Sequence, residues 1–547
     1  MAQMPSHIEK WALPIAVIVI ASFAGAWHKL VDEQVPAPYL DEVFHVPQAQ
    51  RYCNGDWSWD PKITTPPGLY LISLFIHYLG GSCDTSTLRA LNAGAICLIC
   101  LVAFNILQTT GARHSASQVE QGNAESDSRR IIRGNYKTLL DAHTAVNVGL
   151  FPPLFFFSGL YYTDVLSTLF ILWTYDVFLK QTKTTWRFRD DIIYVVIGLA
   201  ALAFRQTNIF WVAVYPAGLA LVDALKSSDR IHDCAVGDAS LYDCISSIVS
   251  IVTAAISNPA MVARTVGRYV VLLGFFTGFV AWNGGVVLGD KSNHVATIHL
   301  PQMLYLWPYI VFFSLPLTAV TLLGPAARFL PAGKFKSTCQ ERLAGLGAKA
   351  RPDILTSIIF LALSVAAVHF NTIVHPFTLA DNRHYVFYVF RILRRHPAIK
   401  YLAVPIYYLC FWQTIQTLGT AFGGNENMKR KTRATDGGRP ITKSTARQPS
   451  QLSFAVVWIA TTALSIVSAP LVEPRYFIIP WIMWRLHVPS LAALPSSTPP
   501  SAMASYDTRL ILETAWLLFI NGLTGYAFLY RGFAWPSEPG LVQRFLW

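Results

Sequence analysis

The chain returns repeatedly to apolar runs close to bilayer-crossing length, and no other feature restricts its fold so severely. These runs fall near residues 11–29, 88–108, 142–157, 163–179, 192–204, 209–225, 269–289, 303–325, 353–370, 401–420, 453–470, 476–488 and 510–530. About 20 apolar residues in a helix cross the hydrocarbon layer. Inside that layer every backbone N–H and C=O must find a partner within the protein, so helices are the natural form for such runs. The expected fold class is therefore an all-α polytopic membrane protein with about 13 transmembrane helices, in a range of roughly 11–14. Composition agrees: 53% of the 547 residues are hydrophobic and only 14% charged, against about 25% charged in soluble domains. The stretch 245–262 and the segment after Gly68 read as interfacial rather than spanning. The run from Trp11 to Trp27 ends on Ala24, Gly25 and Ala26, which resemble a cleavage site, but it is long and only Lys10 precedes it closely; it reads as a retained first span.

A formal charge of +12 raises nucleic acid as a partner, but the basic residues sit in short connections between apolar runs. Residues 109–141 carry five Lys and Arg, 180–191 four, 325–352 six and 423–451 seven. The positive-inside rule makes these connections cytosolic. Segment 31–67 has two basic residues, Arg51 and Lys62, against six acids, and 290–302 has only Lys291, so both belong on the other side. Residues 1–547 read as one membrane-embedded domain, with 31–87 its first non-cytosolic loop and 109–141 and 423–451 cytosolic connections, disordered by composition over 113–130 and 424–450. Eight cysteines show no Cys/His cluster, and Cys97 and Cys100 lie in an apolar run, where they read as small buried hydrophobes. Cys53 and Cys83 both fall on the non-cytosolic side, where a disulfide between them is open.

The loop beginning "PYLDEVFHVPQAQRYCNGDWSWDPKITTPPGLY", Pro38 to Tyr70, interrupts the apolar pattern with chemistry. Asp41 and Glu42 are adjacent, so only one can face a given substrate. They are either two solvated carboxylates or a general base held at the membrane surface by Tyr39, Val43 and Phe44. Trp57 and Trp59 share a face if extended, as an interfacial belt or as a platform for a sugar ring. Pro61, Pro66, Pro67 and Gly68 form a stiff turn back to the membrane, with Lys62 available to an anion. Three further polar sites fall at non-cytosolic span ends. They are "AFRQTNIF" (Arg205, Gln206, Asn208), "HPFTLADNRHY" (His375, Asp381, Asn382, Arg383, His384) and "EPRYFIIPW" (Glu473, Arg475). Asp381 with Arg383 and Glu473 with Arg475 are either structural ion pairs or parts of an electropositive pocket for a phosphate. The segment 371–400 is either a short helix at the membrane face or an additional span. No GxxxxGK[ST], GxGxxG, HExxH or GxSxG occurs, so an activated donor would arrive through the lipid phase.

Four stretches in order, "YLDEVFHVPQAQRYCNGDWSWDPKITTPPGLY", "FRQTNI", "LADNRHYVFYVFR" and "EPRYFIIPW", closely resemble the endoplasmic-reticulum dolichyl-phosphate-glucose-dependent α-1,2-glucosyltransferases, and the resemblance covers the chain from end to end. It implies a GT-C glycosyltransferase fold in the endoplasmic reticulum membrane with a lumenal active site. It further implies dolichyl phosphate glucose as donor and Glc2Man9GlcNAc2 on dolichyl diphosphate as acceptor, completing the precursor for protein N-glycosylation. Asp41, or alternatively Glu42, matches the acidic position of the first loop. As general base it would take the proton of the acceptor 2-hydroxyl, giving an α-linked product by inversion. The leaving phosphate needs charge rather than a proton, and Arg383, His384, Arg475, Arg205 and Lys62 are the candidates. His45, Gln48, Trp57, Trp59, Gln206, Asn208, Asp381 and Asn382 are candidates for the sugars. No cofactor and no metal is expected. The rivals are a lipid or sugar transporter, which would place charges in mid-span, and a dolichyl-phosphate-mannose-dependent mannosyltransferase of the same fold.

Overall fold

The first apolar run becomes a helix longer than its greasy stretch, Ile8–Gln34, of 27 residues, or about 40 Å at 1.5 Å per residue. It stops where Pro36 and Pro38 remove backbone donors. The computed structural model describes residues 8–120, 127–181, 188–228, 231–291, 297–322, 353–419, 450–469, 471–490, 506–536 and 538–547. Apart from one antiparallel hairpin, Phe533–Trp535 with Glu538–Gln543, its regular elements are helical.

Among the described residues five helices are individually long and apolar enough to cross a bilayer: Glu9–Gln34, Thr85–Arg113, Gln206–Ser228, Pro259–Asn283 and Thr508–Tyr530. A sixth follows if Pro301–Phe313 and Leu315–Leu322, bent by 90°, count as one span. An all-helical membrane protein is thus present, but the expected count of about 13 is not reached by continuous helices, and the causes are local. The run 142–157 divides before Pro152 into Asp127–Gly149 and Pro152–Phe157. The run 476–488 becomes a 3-10 turn, Pro474–Phe477, and a helix of 10 residues, Ile478–His487. Helix Thr163–Lys180 includes Asp164, Asp176 and Lys180. The run placed at 269–289 begins earlier, at Pro259, and ends at Asn283, where Gly284 turns left-handed at φ 65°. Segment 371–400 holds the short helices Pro376–Ala380 and Tyr385–Leu393 rather than a span. The described parts of the 113–130 connection are helical, up to Glu120 and from Asp127, whereas residues 424–449 of the other connection lie outside the described residues.

The core gathers around residues 148–169, nearly all buried. Ile8–Gln34 packs on Thr85–Glu120 and Asp127–Gly149, and Thr85–Glu120 on Thr163–Lys180. Trp27 donates its indole N–H to the Phe156 carbonyl at 2.9 Å. A Cβ at residue 159 would lie 2.5 Å from that indole nitrogen, so glycine is required. The Pro-Pro-Gly turn docks by the same logic: Gly68 N–H donates to the Ala203 carbonyl at 2.7 Å, and a Cβ there would sit 2.5 Å from that oxygen. Helix Gly68–Tyr78 follows with 11 residues, about half the spanning length. Cys53 and Cys83 are joined as a disulfide. Within the bundle Arg485 and Glu513 form a fully buried pair, with oxygens 2.6 Å from Nε and Nη2, and Asn147 donates to the same carboxylate at 2.8 Å. A charge in the membrane interior persists when paired in this way.

Candidate active site

Between the first helix and helix Glu42–Cys53 the chain turns on Leu40, whose φ of 51° is the only positive value at a non-glycine among the described residues. A branched side chain in the left-handed region costs about 1–3 kcal/mol and persists only where its surroundings impose it. They do so through Glu42, whose carboxylate is wholly buried and accepts four hydrogen bonds. These come from Arg89 Nε at 2.9 Å and Nη2 at 2.6 Å, from the Tyr161 N–H at 2.6 Å and from the Tyr39 N–H at 3.0 Å. Arg89 places its remaining donors on Asp32 at 3.2 Å, the Val35 carbonyl at 2.8 Å and the Ala37 carbonyl at 3.2 Å. All five guanidinium N–H groups are used. Glu42 has no face left for a substrate.

Asp41, one residue earlier, points the other way. Its Oδ2 lies 2.9 Å from Arg475 Nη1, and its side chain is 42% exposed against 12% for the arginine. Its N–H donates to the Tyr162 hydroxyl at 3.2 Å. Arg475 Nε and Nη2 both bond to Glu473 Oε2, at 3.0 Å and 2.8 Å, and the guanidinium carbon stands 5.6 Å and 5.7 Å from the rings of Phe157 and Tyr162. Behind it, Asp164 reaches Arg475 Nη1 at 3.8 Å through Oδ2 and Arg205 Nη2 at 2.9 Å through Oδ1. Four segments distant in sequence thus meet in one alternating chain of carboxylates and guanidinium groups.

The facing wall comes from Asp381 and His384. Arg383 grips Asp381 bidentately, with contacts of 2.9 Å and 2.7 Å, bonds to Gln543 at 3.0 Å and stacks 4.5 Å from the Trp535 ring centroid. His384 Nε2 stands 3.7 Å from Asp381 and its Nδ1 3.3 Å from the Trp547 main-chain oxygen. Between the walls lies a cavity of about 240 Å³ lined by Asp41, Tyr162, Asp381, His384, Glu473 and Arg475, with Leu546 at its edge.

Of the residues singled out by sequence, Asp41, Asp381, His384, Glu473 and Arg475 line this cavity; the others do not. Arg205 stands one carboxylate behind it, and Arg383 is turned to Asp381, Gln543 and Trp535. Lys62 lies over Phe44, 5.6 Å from its ring centroid. His45 pairs with the Tyr70 hydroxyl at 2.5 Å. Gln48 clasps the loop, donating to the Ser58 carbonyl at 2.8 Å and accepting from the Asp60 N–H at 2.9 Å. Gln206 holds the Thr64 carbonyl at 2.9 Å, Asn208 the Ala201 carbonyl at 2.7 Å, and Asn382 accepts from the Trp535 indole at 2.8 Å. The two loop tryptophans are not one platform: Trp57 is exposed against Tyr52, while Trp59 packs inward on Tyr70. Nor is the pocket simply electropositive. Both suspected ion pairs form, and each of the three arginines faces a carboxylate, because a half-buried guanidinium left alone would be costly.

Sequence reasoning missed Arg89, Asp164, Tyr162 and the segment 533–547. A lone arginine and a lone aspartate at the start of apolar helices were the available signals for the first two. It also missed a His232, Cys234 and Asp243 group, whose ligand atoms lie within 4.8 Å of one another. That group follows the end of helix Tyr215–Ser228, at the opposite end of that segment from Arg205.

Burial pushes the Asp41 carboxyl up, but the Arg475 charge and hydrogen bond, with His45 and His384, outweigh it and hold the group below its ordinary value. Burial lowers His45 to about 4, despite the opposing charges of Asp41 and Asp164, so this imidazole is neutral beside the site. Asp381, pushed up by burial, is brought below its ordinary value by its bonds to Arg383.

Membrane-length helices whose connections converge on a carboxylate and guanidinium cleft define the class: an all-helical integral membrane protein with an ionisable site. The chain belongs to the DIE2/ALG10 family, whose profile matches residues 35–486. It is similar to the Dol-P-Glc:Glc(2)Man(9)GlcNAc(2)-PP-Dol alpha-1,2-glucosyltransferase of Emericella nidulans, 39% identical with 98% of each chain covered. The proteins of the same name from Mus musculus and Homo sapiens are 31% and 30% identical, with the full length of both chains covered. No solved structure matches the chain.

Proposed function

We propose that the protein transfers glucose from dolichyl phosphate glucose to the terminal glucose of Glc2Man9GlcNAc2-diphosphodolichol in α-1,2 linkage, with inversion. The end-to-end match to relatives named for this reaction supports the donor and acceptor. The observation that carries the mechanism is the Asp41–Arg475 pair, a half-exposed carboxylate 2.9 Å from a guanidinium at a cavity wall. Asp41 accepts the proton of the acceptor hydroxyl as that oxygen attacks the donor's anomeric carbon. Arg475 and His384 stabilise the phosphate, and Arg205 and Arg383 hold the neighbouring carboxylates in place. Glu42 positions the turn. The chemistry calls for no metal or other cofactor.

The fold in this reading is GT-C, with the site in the lumen of the endoplasmic reticulum and the broken helices making up the remaining spans. The Cys53–Cys83 bridge in the site's own loop supports the lumenal side, since disulfides persist in oxidising compartments. The test is reconstitution with dolichyl phosphate glucose and a defined lipid-linked acceptor, followed by linkage analysis in buffer and in chelator. A 1,2-linked glucose formed equally in both is expected. Use of dolichyl phosphate mannose instead, or translocation without a new linkage, would overturn the proposal.

A further inference from the structure

Resting on that reading, we propose that Asp41 masks Arg475 in the waiting enzyme and that the proton Asp41 receives unmasks it, making base and leaving-group stabiliser one coupled device. The geometry divides the arginine into a fixed part and a free arm. Nε and Nη2 are anchored on Glu473 Oε2, at 3.0 Å and 2.8 Å, and the rings of Phe157 and Tyr162 stand 5.6 Å and 5.7 Å from the guanidinium carbon. Nη1 bonds Asp41 Oδ2 at 2.9 Å. Its next carboxylate oxygen, Asp164 Oδ2, is 3.8 Å away and makes no hydrogen bond of its own. Loss of the Asp41 charge therefore leaves the guanidinium where it is while removing the anion that occupies its cavity side.

The charges balance. The acceptor O–H bond breaks and its proton goes to Asp41, which passes from anion to neutral acid. The acceptor oxygen forms a bond to the anomeric carbon, and the bond from that carbon to the phosphate oxygen breaks with its electron pair on the phosphate. The phosphodiester monoanion becomes a phosphomonoester dianion. One negative charge leaves the carboxylate as one arrives on the phosphate, and Arg475, lining the same cavity as Asp41, changes partners without moving. A guanidinium already oriented needs no reorganisation at the moment of transfer.

The test is binding of a short-chain dolichyl phosphate to the purified full-length protein in nanodiscs, measured by calorimetry. Asp41→Asn copies the neutral acid and should bind this monoester about tenfold more tightly than the unaltered chain. The gain should be smaller for the methyl diester of the same lipid, which carries one charge fewer, and should vanish in an Arg475→Gln background. Unchanged or weaker binding by Asp41→Asn, an equal gain for both esters, or a gain that survives without Arg475 would overturn the coupling. If transfer is lost while affinity stays unchanged, the coupling falls and the base assignment stands. If Asp41→Asn still transfers glucose, the base assignment falls and the coupling with it.

Discussion

Asp41 and Glu42 are consecutive carboxylates, each facing an arginine, and they behave in opposite ways. The Glu42–Arg89 pair is sealed, with neither side chain reaching solvent and every guanidinium donor used. The Asp41–Arg475 pair is open on one side and shares its arginine with two more acids. The first arrangement builds a rigid turn, and the second leaves a half-exposed carboxylate at the cavity wall. What separates structure from chemistry here is how many donors surround the carboxylate, not the residue type.

The sharpest way to break that contrast is to neutralise each acid in turn. Asp41→Asn should lower transfer by about 10²- to 10⁴-fold with thermal unfolding unchanged, as read by single-turnover assay and calorimetry. Glu42→Gln should act chiefly on stability. An amide offers one acceptor oxygen where four N–H groups converge and leaves the buried Arg89 with only Asp32, 3.2 Å away, as counter-charge, a loss of about 3–5 kcal/mol, visible as a fall in melting temperature. Equal stability losses for both variants would erase the distinction. Arg475→Gln should reduce the rate by about 10²- to 10³-fold, as expected on removing a transition-state donor. The smallest effect concerns His45. Its folded value of about 4 lies below the ordinary 6.5, so the unfolded chain binds the extra proton first. Its contribution to stability is present above pH 6.5 and is lost as pH falls towards 4. Melting temperature should drop across that window, and less steeply in His45→Gln.

Much of this was legible in the sequence because hydrophobic runs and motif chemistry are local properties. Asp41 and Arg475 stand out as charges at the edges of apolar runs. Their meeting does not, since 434 positions separate them. The same holds for Arg383, whose partner Gln543 lies 160 residues on in a hairpin with no apolar run to announce it. Glu42 could not be told from Asp41 by pattern, because its fate depends on Arg89, 47 residues away, and on a backbone N–H from Tyr161. Apolar runs and continuous helices part company where proline and glycine cut a run, as before Pro152, since composition measures greasiness and not whether the helix continues.

The Cys53–Cys83 bridge, its cysteines 30 positions apart, encloses Asn54 to Ser82 and with them the Trp57 and Trp59 lobe and the Pro-Pro-Gly landing. This part of the protein is therefore finished by chemistry that the ribosome does not supply. A preparation kept in strong reductant would retain its helices yet present an unfastened flap, so thiol history becomes a variable to record beside detergent and lipid.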